Sequence, residues 1–262
     1  MIKIEIAGFP VSIETANVKF GREILNRYKK FLSKKKPVLN IKIQNVYSKI
    51  RDSKGVEIKK HGNGFFIQYR SSSAIVDFRL KRVCIKMYQK NIYIFDSLLR
   101  IIYSLVLVNK KGFLIHSAGV LSGKNGYIFT GKSESGKSTI IKLIENTGSK
   151  EFIPMGDEIL AVKKHKNIWR VFSTPFKGEI EHSFPNISGS VAKVFFIIKD
   201  KKTYCRQLDT KDALQQLLPN VIFFCKDKAL MQDVFNVCCN FVQDISCYDL
   251  HFQKNNLFLK YL

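Results

Sequence analysis

The sequence predicts an α/β protein with a mixed (α+β) sheet, and three observations carry that prediction. Residues 1–92 read as mostly short β-prone runs separated by turns, with a single helical segment among them. From Ile92 onward longer apolar runs appear, and strand-like and helix-like patterns follow one another. Within that second part, Gly131-Lys132-Ser133-Glu134-Ser135-Gly136-Lys137-Ser138 fits the pattern G-x-x-x-x-G-K-[ST], and it stands between an apolar run and a helical one. The reading is a β-rich region over 1–92 followed by a domain over 93–262 built round that loop.

Each element has its own signal. Ile2–Ile6 and Pro10–Ile13 read as strands. Phe20, Ile24, Leu25, Tyr28 and Phe31 share one helical face, which predicts a helix over Phe20–Phe31. Lys34-Lys35-Lys36-Pro37 marks a loop, and the chain alternates from Leu39 to Gln44 as a half-buried strand does. Further strands are expected at Gly64–Tyr69, Ala74–Leu80 and Val83–Tyr88, with Gly55 and Gly62 in the turns between. Ile92–Val108 is a long apolar helix candidate, followed by the apolar run Phe113–Leu121. Tyr127–Thr130 is a short buried-strand run before the loop. After it Ile140, Ile141, Leu143 and Ile144 recur at helical spacing, and Gly148 stands where a helix would end. Strands are then expected at Phe152–Met155, Leu160–Lys163, Trp169–Phe172 and Val194–Lys199. Asp209 or Thr210 is placed to cap a helix over Lys211–Leu218. Lys228–Gln243 carries Leu230, Val234, Cys238 and Phe241 on one face, and a last strand, Cys247–Phe252, precedes a short tail.

Composition bounds the function. Of 262 residues 45% are apolar and 12% aromatic, the balance of a globular protein with a sizeable core. No apolar run reaches the ~18 residues of a membrane span, and the N-terminus alternates like a strand rather than a signal peptide. Six cysteines (84, 205, 225, 238, 239 and 247) lack C-x-x-C or zinc spacing, so reduced thiols and a cytoplasmic setting are expected. Lys plus Arg outnumber Asp plus Glu by 44 to 21, a net charge of +23. Residues 1–100 hold 22 basic and 7 acidic side chains, or +15, so the excess is concentrated there. Such a field attracts an acidic partner, although a solvated lysine-rich surface has the same composition. Nucleic acid is not the expected partner, because neither aromatic-interleaved basic motifs nor a helix-turn-helix pattern is present.

The loop sets the chemistry. A glycine-rich turn before a helix points backbone N–H groups and the positive end of the helix dipole at one place, which suits a phosphate chain. The candidate nucleotide contacts are Gly131, Lys132, Ser133, Glu134, Ser135, Gly136, Lys137, Ser138 and Thr139, with Lys137 reaching the β- and γ-phosphates. Ser138 is a candidate ligand of Mg²⁺. A carboxylate must complete such a site. Asp157-Glu158 follows the Phe152–Met155 strand, and Asp200 closes Val194–Lys199 but sits in the solvated run Lys199-Asp200-Lys201-Lys202. His116 lies on an apolar strand one element before the loop. Ser173-Thr174-Pro175-Phe176-Lys177-Gly178-Glu179 is a polar turn, either an anion loop with Lys177 or an ordinary surface turn.

The motif chain His-Ser-Ala-Gly-Val (116–120), Gly-Tyr-Ile-Phe-Thr-Gly-Lys-Ser-Glu-Ser-Gly-Lys-Ser-Thr (126–139), Gly-Asp-Glu-Ile-Leu-Ala-Val (156–162) and Ser-Thr-Pro-Phe-Lys-Gly-Glu (173–179) resembles the HPr kinase/phosphorylase-related proteins. These share a core with phosphoenolpyruvate carboxykinases. The likeness covers roughly residues 95–262 and is closest to short, HPr kinase-like members. It implies an HPr kinase/carboxykinase-like P-loop core, ATP or another nucleoside triphosphate with Mg²⁺, and transfer of phosphate to a serine hydroxyl of a protein or peptide. It implies that Lys137 and His116 face the reacting phosphate and that Asp157 is the base. The family usually has two adjacent aspartates where this chain has Gly156-Asp157 or Asp157-Glu158, depending on the register, so the division of base and metal ligand between Asp157 and Glu158 stays open. It also implies homo-oligomers. Glu134 stands where glycine is common in that loop, and residues 1–92 match no HPr-kinase regulatory domain. The alternative is a nucleotide-binding switch without transfer activity.

Overall fold

The computed structural model describes residues 1–46, 53–176 and 183–262. The chain forms two compact units: Met1–Val106 with Phe223–Met231, and Leu107–Ile222 with Gln232–Leu262. Each is a mixed α/β structure with its own mixed sheet.

The first unit contains β1 (Ile2–Ile6), β2 (Phe9–Thr15), α1 (Val18–Arg27), β3 (Leu39–Asn45), β4 (Ser53–His61), β5 (Gly64–Arg70), β6 (Ser72–Asp77), β7 (Arg82–Met87) and most of α2 (Ile92–Val108). Its described strands run in the order β1-β2-β3-β7-β6-β5-β4. β2 and β3 are parallel, which requires a crossover, and α1 supplies it. Asn17 starts α1 by accepting a hydrogen bond from the Phe20 amide at 2.9 Å, and Phe20 and Ile24 are buried beneath the helix. Tyr28 and Phe31, which the periodicity placed on the same helix, lie just beyond it; Phe31 belongs to a short 3₁₀ turn, and both are buried.

β4 is the main departure in this unit. Gly55 is not in a turn but in an edge strand, at a register shift between Ser53 and Val56. A charged edge strand buries little on either face, so the apolar alternation in Ser-Lys-Gly-Val-Glu-Ile-Lys-Lys-His is confined to the half-buried Val56 and Ile58. Leu80, expected to end a strand, lies in a turn, where its amide donates to Asp77 Oδ1. α2 begins where Asn91 Oδ1 accepts from the amides of Tyr93 and Ile94, at 2.9 and 3.2 Å. Asp96 on α2 is 3% exposed and receives Arg27 (Nε at 2.9 Å) and the Tyr28 hydroxyl. Burial, then Asp96, hold the Tyr28 hydroxyl well above the usual tyrosine range. Phe95 meets both Phe20 and Tyr28 edge-on, with centroids 6.1 Å apart.

The second unit contains β8 (Gly112–Ser122), β9 (Asn125–Thr130), α3 (Lys137–Asn146), β10 (Phe152–Gly156), β11 (Ile159–His165), β12 (Ile168–Phe172), β13 (Ser188–Lys199), β14 (Tyr204–Gln207), α4 (Thr210–Leu217), β15 (Val221–Ile222), most of α5 (Lys228–Asp244) and β16 (Cys247–Phe252). β8 pairs antiparallel with β10 and β11 on one edge and with β9 and β15 on the other. β9, β13 and β16 are parallel neighbours. Because β11 also pairs with β12, and β12 with β13, the strands β8, β11, β12, β13 and β9 close a ring. Ile140, Ile141 and Ile144 of α3 pack into a core with Phe129, Phe195, Leu250, Phe252 and Phe258. The expected tail is a 3₁₀ segment, Asn256–Tyr261, which brings Phe258 into that core. Asp209 caps α4 by accepting from the Asp212 amide at 2.8 Å. All six cysteines are free thiols, and Cys225, Cys238 and Cys247 are buried. No helix among the described residues is long and apolar enough to cross a membrane.

Candidate functional site

The site is organised by one strand. Along one edge of β8, β10 pairs as far as Gly156↔Gly119 and β11 resumes at Ile159↔His116. The two residues between are Asp157 and Glu158, so they leave the sheet opposite the middle of β8. The Ser117 amide holds the Glu158 carbonyl at 3.0 Å. On the other edge of β8, β9 pairs to its last residue at Ser117↔Thr130, and Thr130 Oγ1 donates to the His116 carbonyl at 2.9 Å. The glycine loop leaves the sheet at that level. His116 is therefore flanked by the start of the loop on one side and the Asp157-Glu158 interruption on the other.

The loop is shaped by its glycines. Gly131 and Gly136 have φ of +141° and +114°, values that side-chain-bearing residues rarely adopt. A Cβ at Gly131 would also lie 3.3 Å from the Ile197 carbonyl oxygen, and one at Gly136 3.3 Å from the Phe252 ring. Glu134 occupies the left-handed region too, at φ +61°, at the loop position where glycine is common. Lys137 is 6% exposed and donates to the carbonyls of Gly131 and Lys132, both at 3.0 Å, so its ammonium draws the loop together. The first helical bond of α3, from the Ile140 amide to the Gly136 carbonyl at 3.0 Å, leaves the preceding turn's amides at a dipole end.

These elements enclose a cleft of about 240 Å³. Ser133, Glu134 and Gly136 wall it from the loop, and Lys137, Ser138 and Thr139 from the start of α3. His116, Asp157 and Glu158 close the other side. Asp157 is 2% exposed. His116 Nε2 lies 3.8 Å from Glu158 Oε2, with both side chains partly exposed. Gly131, Lys132 and Ser135 do not line this cleft. They line a second, of about 670 Å³, which shares Ser133 and Glu134 with the first and extends to Phe196–Lys199, Gln215, Gln216, Pro219 and Asn220. Sequence reasoning missed this second wall, because a Gln-Gln pair and a proline ending an amphipathic helix carry no motif.

The other candidates fall elsewhere. Asp200 lines neither cleft. Its carboxylate meets His251 Nδ1 at 2.8 Å and accepts from the amides of Lys201 and Lys202, and His251 followed by those amides holds it below the usual carboxylate range. In the 173–179 turn, Ser173, Thr174 and Phe176 are buried. Ser173 exchanges hydrogen bonds with Ile187, and Thr174 Oγ1 donates to the Ile159 carbonyl at 2.5 Å. That half of the turn therefore supports the strand that follows Glu158; Lys177 and Glu179 lie outside the described residues.

Among the described residues no three His, Cys, Asp or Glu side chains form a metal-holding group. The oxygen-bearing side chains that line the cleft are Ser133, Ser138, Thr139, Glu134, Asp157 and Glu158, of which Ser138, Asp157 and Glu158 are the candidate ligands. Such a sparse set fits Mg²⁺, which keeps waters and takes phosphate oxygens rather than a full protein cage.

No family model and no curated protein matches the chain. Among solved structures it is similar to the Hpr(Ser) kinase/phosphatase from Coxiella burnetii, with 12% identity and a TM-score of 0.31, over 56% of this chain and 89% of that one.

Proposed function

We propose that the second unit is a kinase of the HPr kinase-like type, transferring the γ-phosphate of ATP or another nucleoside triphosphate to a hydroxyl, serine by expectation, of a protein or peptide. The observation that carries the reading is the convergence in one cleft of a glycine loop, a helix N-terminus with Lys137 and Ser138, a buried Asp157 and a partly exposed His116. Phosphoryl transfer needs positioning and charge stabilisation more than covalent chemistry, and these groups supply both.

On this reading the loop amides and Lys137 hold the β- and γ-phosphates. Lys137 already donates to two loop carbonyls, so its ammonium exchanges one neutral acceptor for a phosphate oxygen without entering from solvent. Asp157 takes the proton of the acceptor hydroxyl. His116, beside Glu158, orients that hydroxyl or bears part of the developing charge. Ser138 with a carboxylate of Asp157 or Glu158 would hold Mg²⁺, whose charge neutralises the phosphate oxygens when bound. The excess positive charge of the N-terminal part suits an acidic acceptor, and salt would then weaken the encounter.

A second reading, a nucleotide-binding switch, is favoured by the single aspartate in Gly156-Asp157-Glu158, where the resembled family usually has two. One experiment separates the two. The purified chain is incubated with γ-labelled ATP and Mg²⁺, with and without host lysate, beside Lys137→Ala and Asp157→Asn. The kinase reading expects a labelled acceptor in wild type, no nucleotide binding in Lys137→Ala, and binding without transfer in Asp157→Asn. Transfer surviving in Asp157→Asn refutes its role as base. Binding without any transferred label in wild type, with small-molecule acceptors included, favours the switch.

A further inference from the structure

We infer that the second cleft takes the nucleoside and that Gln216 makes it prefer adenine to guanine; the inference rests on the phosphate-loop reading above. At about 670 Å³ the cleft has room for a base and its sugar. It borders the same loop, with Ser133 and Glu134 walling both clefts, so a phosphate chain seated on the loop amides leads from one into the other. It opens where the parallel strands β9 and β13 reach their carboxyl ends, the end from which the glycine loop leaves β9. The Ser135 hydroxyl, in its wall, is buried and finds no hydrogen-bond partner among the described residues.

The selectivity comes from a side chain whose orientation is fixed from behind. Gln216 Nε2 donates to Asp249 Oδ1 at 2.9 Å. Asp249 is 1% exposed, and its other oxygen receives Arg206 at 2.6 Å. A carboxylate paired with arginine only accepts hydrogen bonds, so the amide nitrogen of Gln216 must face it and the carboxamide is held against flipping. That leaves Oε1 as an acceptor and the second amide hydrogen as a donor. Adenine matches the pair with its exocyclic amine and a ring nitrogen. Guanine seated in the same pose sets its O6, another acceptor, where the amine would be. A bidentate match of this kind discriminates by roughly tenfold or more.

The test is calorimetric titration of the full chain with ATP, GTP and inorganic tripolyphosphate, each with Mg²⁺. The expected result is ATP binding at least tenfold tighter than GTP. In Gln216→Met, checked for folding by thermal melting, the two should come within threefold, and in Asp249→Asn, where the amide is released, the ratio should also fall. Equal affinity for ATP and GTP in wild type, with tripolyphosphate binding, overturns the inference and leaves the phosphate-loop reading standing. A preference that survives in Gln216→Met overturns the role of that residue. If none of the three ligands binds, the phosphate-loop reading itself fails and the inference fails with it.

Discussion

Replacing Glu134 by glutamine should tighten the binding of ATP. The residue lines the cleft that the phosphates would enter, and it carries a negative charge there. A separation of about 6 Å between a carboxylate in the wall and a phosphate in the cleft sets the scale. In water each pair of unit charges at ~6 Å repels by about 0.7 kcal/mol. Against about three phosphate charges this sums to ~2 kcal/mol, and screening at a Debye length of about 8 Å halves it. The expected gain is therefore ~1 kcal/mol, about fivefold in Kd at physiological salt, and larger as salt is lowered. Calorimetric titration of wild type and Glu134→Gln at two salt concentrations measures it. Glu134→Gly should show the same gain and also melt higher, because it relieves a left-handed residue worth about 1–2 kcal/mol. An unchanged or weaker Kd in Glu134→Gln would refute the reasoning, because the carboxylate would then be either remote from the phosphates or serving them.

Gly136→Ala should reduce nucleotide affinity at least tenfold, since alanine at φ +114° is strained and its Cβ would meet the Phe252 ring; titration with ATP checks this, and an unaltered affinity would show the loop tolerates the change. Asp96→Ala should destabilise the first unit by about 3–5 kcal/mol, because it strands Arg27 and the Tyr28 hydroxyl beside a buried helix; the shift in urea midpoint measures it. Acid should weaken the β13–β16 end of the second sheet. Asp200 has a folded pKa below its unfolded value of about 3.9, so its contribution is present above that pH and is lost as pH falls through the lowered folded value. Asp200→Asn should flatten the melting temperature's dependence on pH in that window, measured against wild type.

The parts of this fold that were legible in the sequence are those where burial imposes a period. Ile140, Ile141 and Ile144 had to lie on one face of α3 because that face fills a core, and the alternation of Leu39, Ile41 and Ile43 reports one buried side of β3. The loop was legible because its glycines answer a backbone need that no other residue meets cheaply. β4, β14 and β15 were not, since a charged edge or a two-residue pairing buries too little to shape a pattern. Asp157 and Glu158 could be proposed from their neighbours, but their place beside His116 depends on β10 and β11 sharing an edge of β8, a pairing between distant segments. Gln216 was invisible for the same reason: its significance lies in Asp249, which comes from the last strand.

The parallel placement of β9, β13 and β16 bears on when the site comes into being during synthesis. The loop's own sequence is complete at Ser138, yet Ile197 borders Gly131 and the ring of Phe252 borders Gly136. Phe252 follows Gly136 by 116 residues (252 − 136). A nascent chain therefore exposes the whole motif long before it owns the walls that hold the motif's shape. Nucleotide would be recruited only to a finished unit, and a cell's abundant triphosphate would stabilise the product of folding without guiding its early steps.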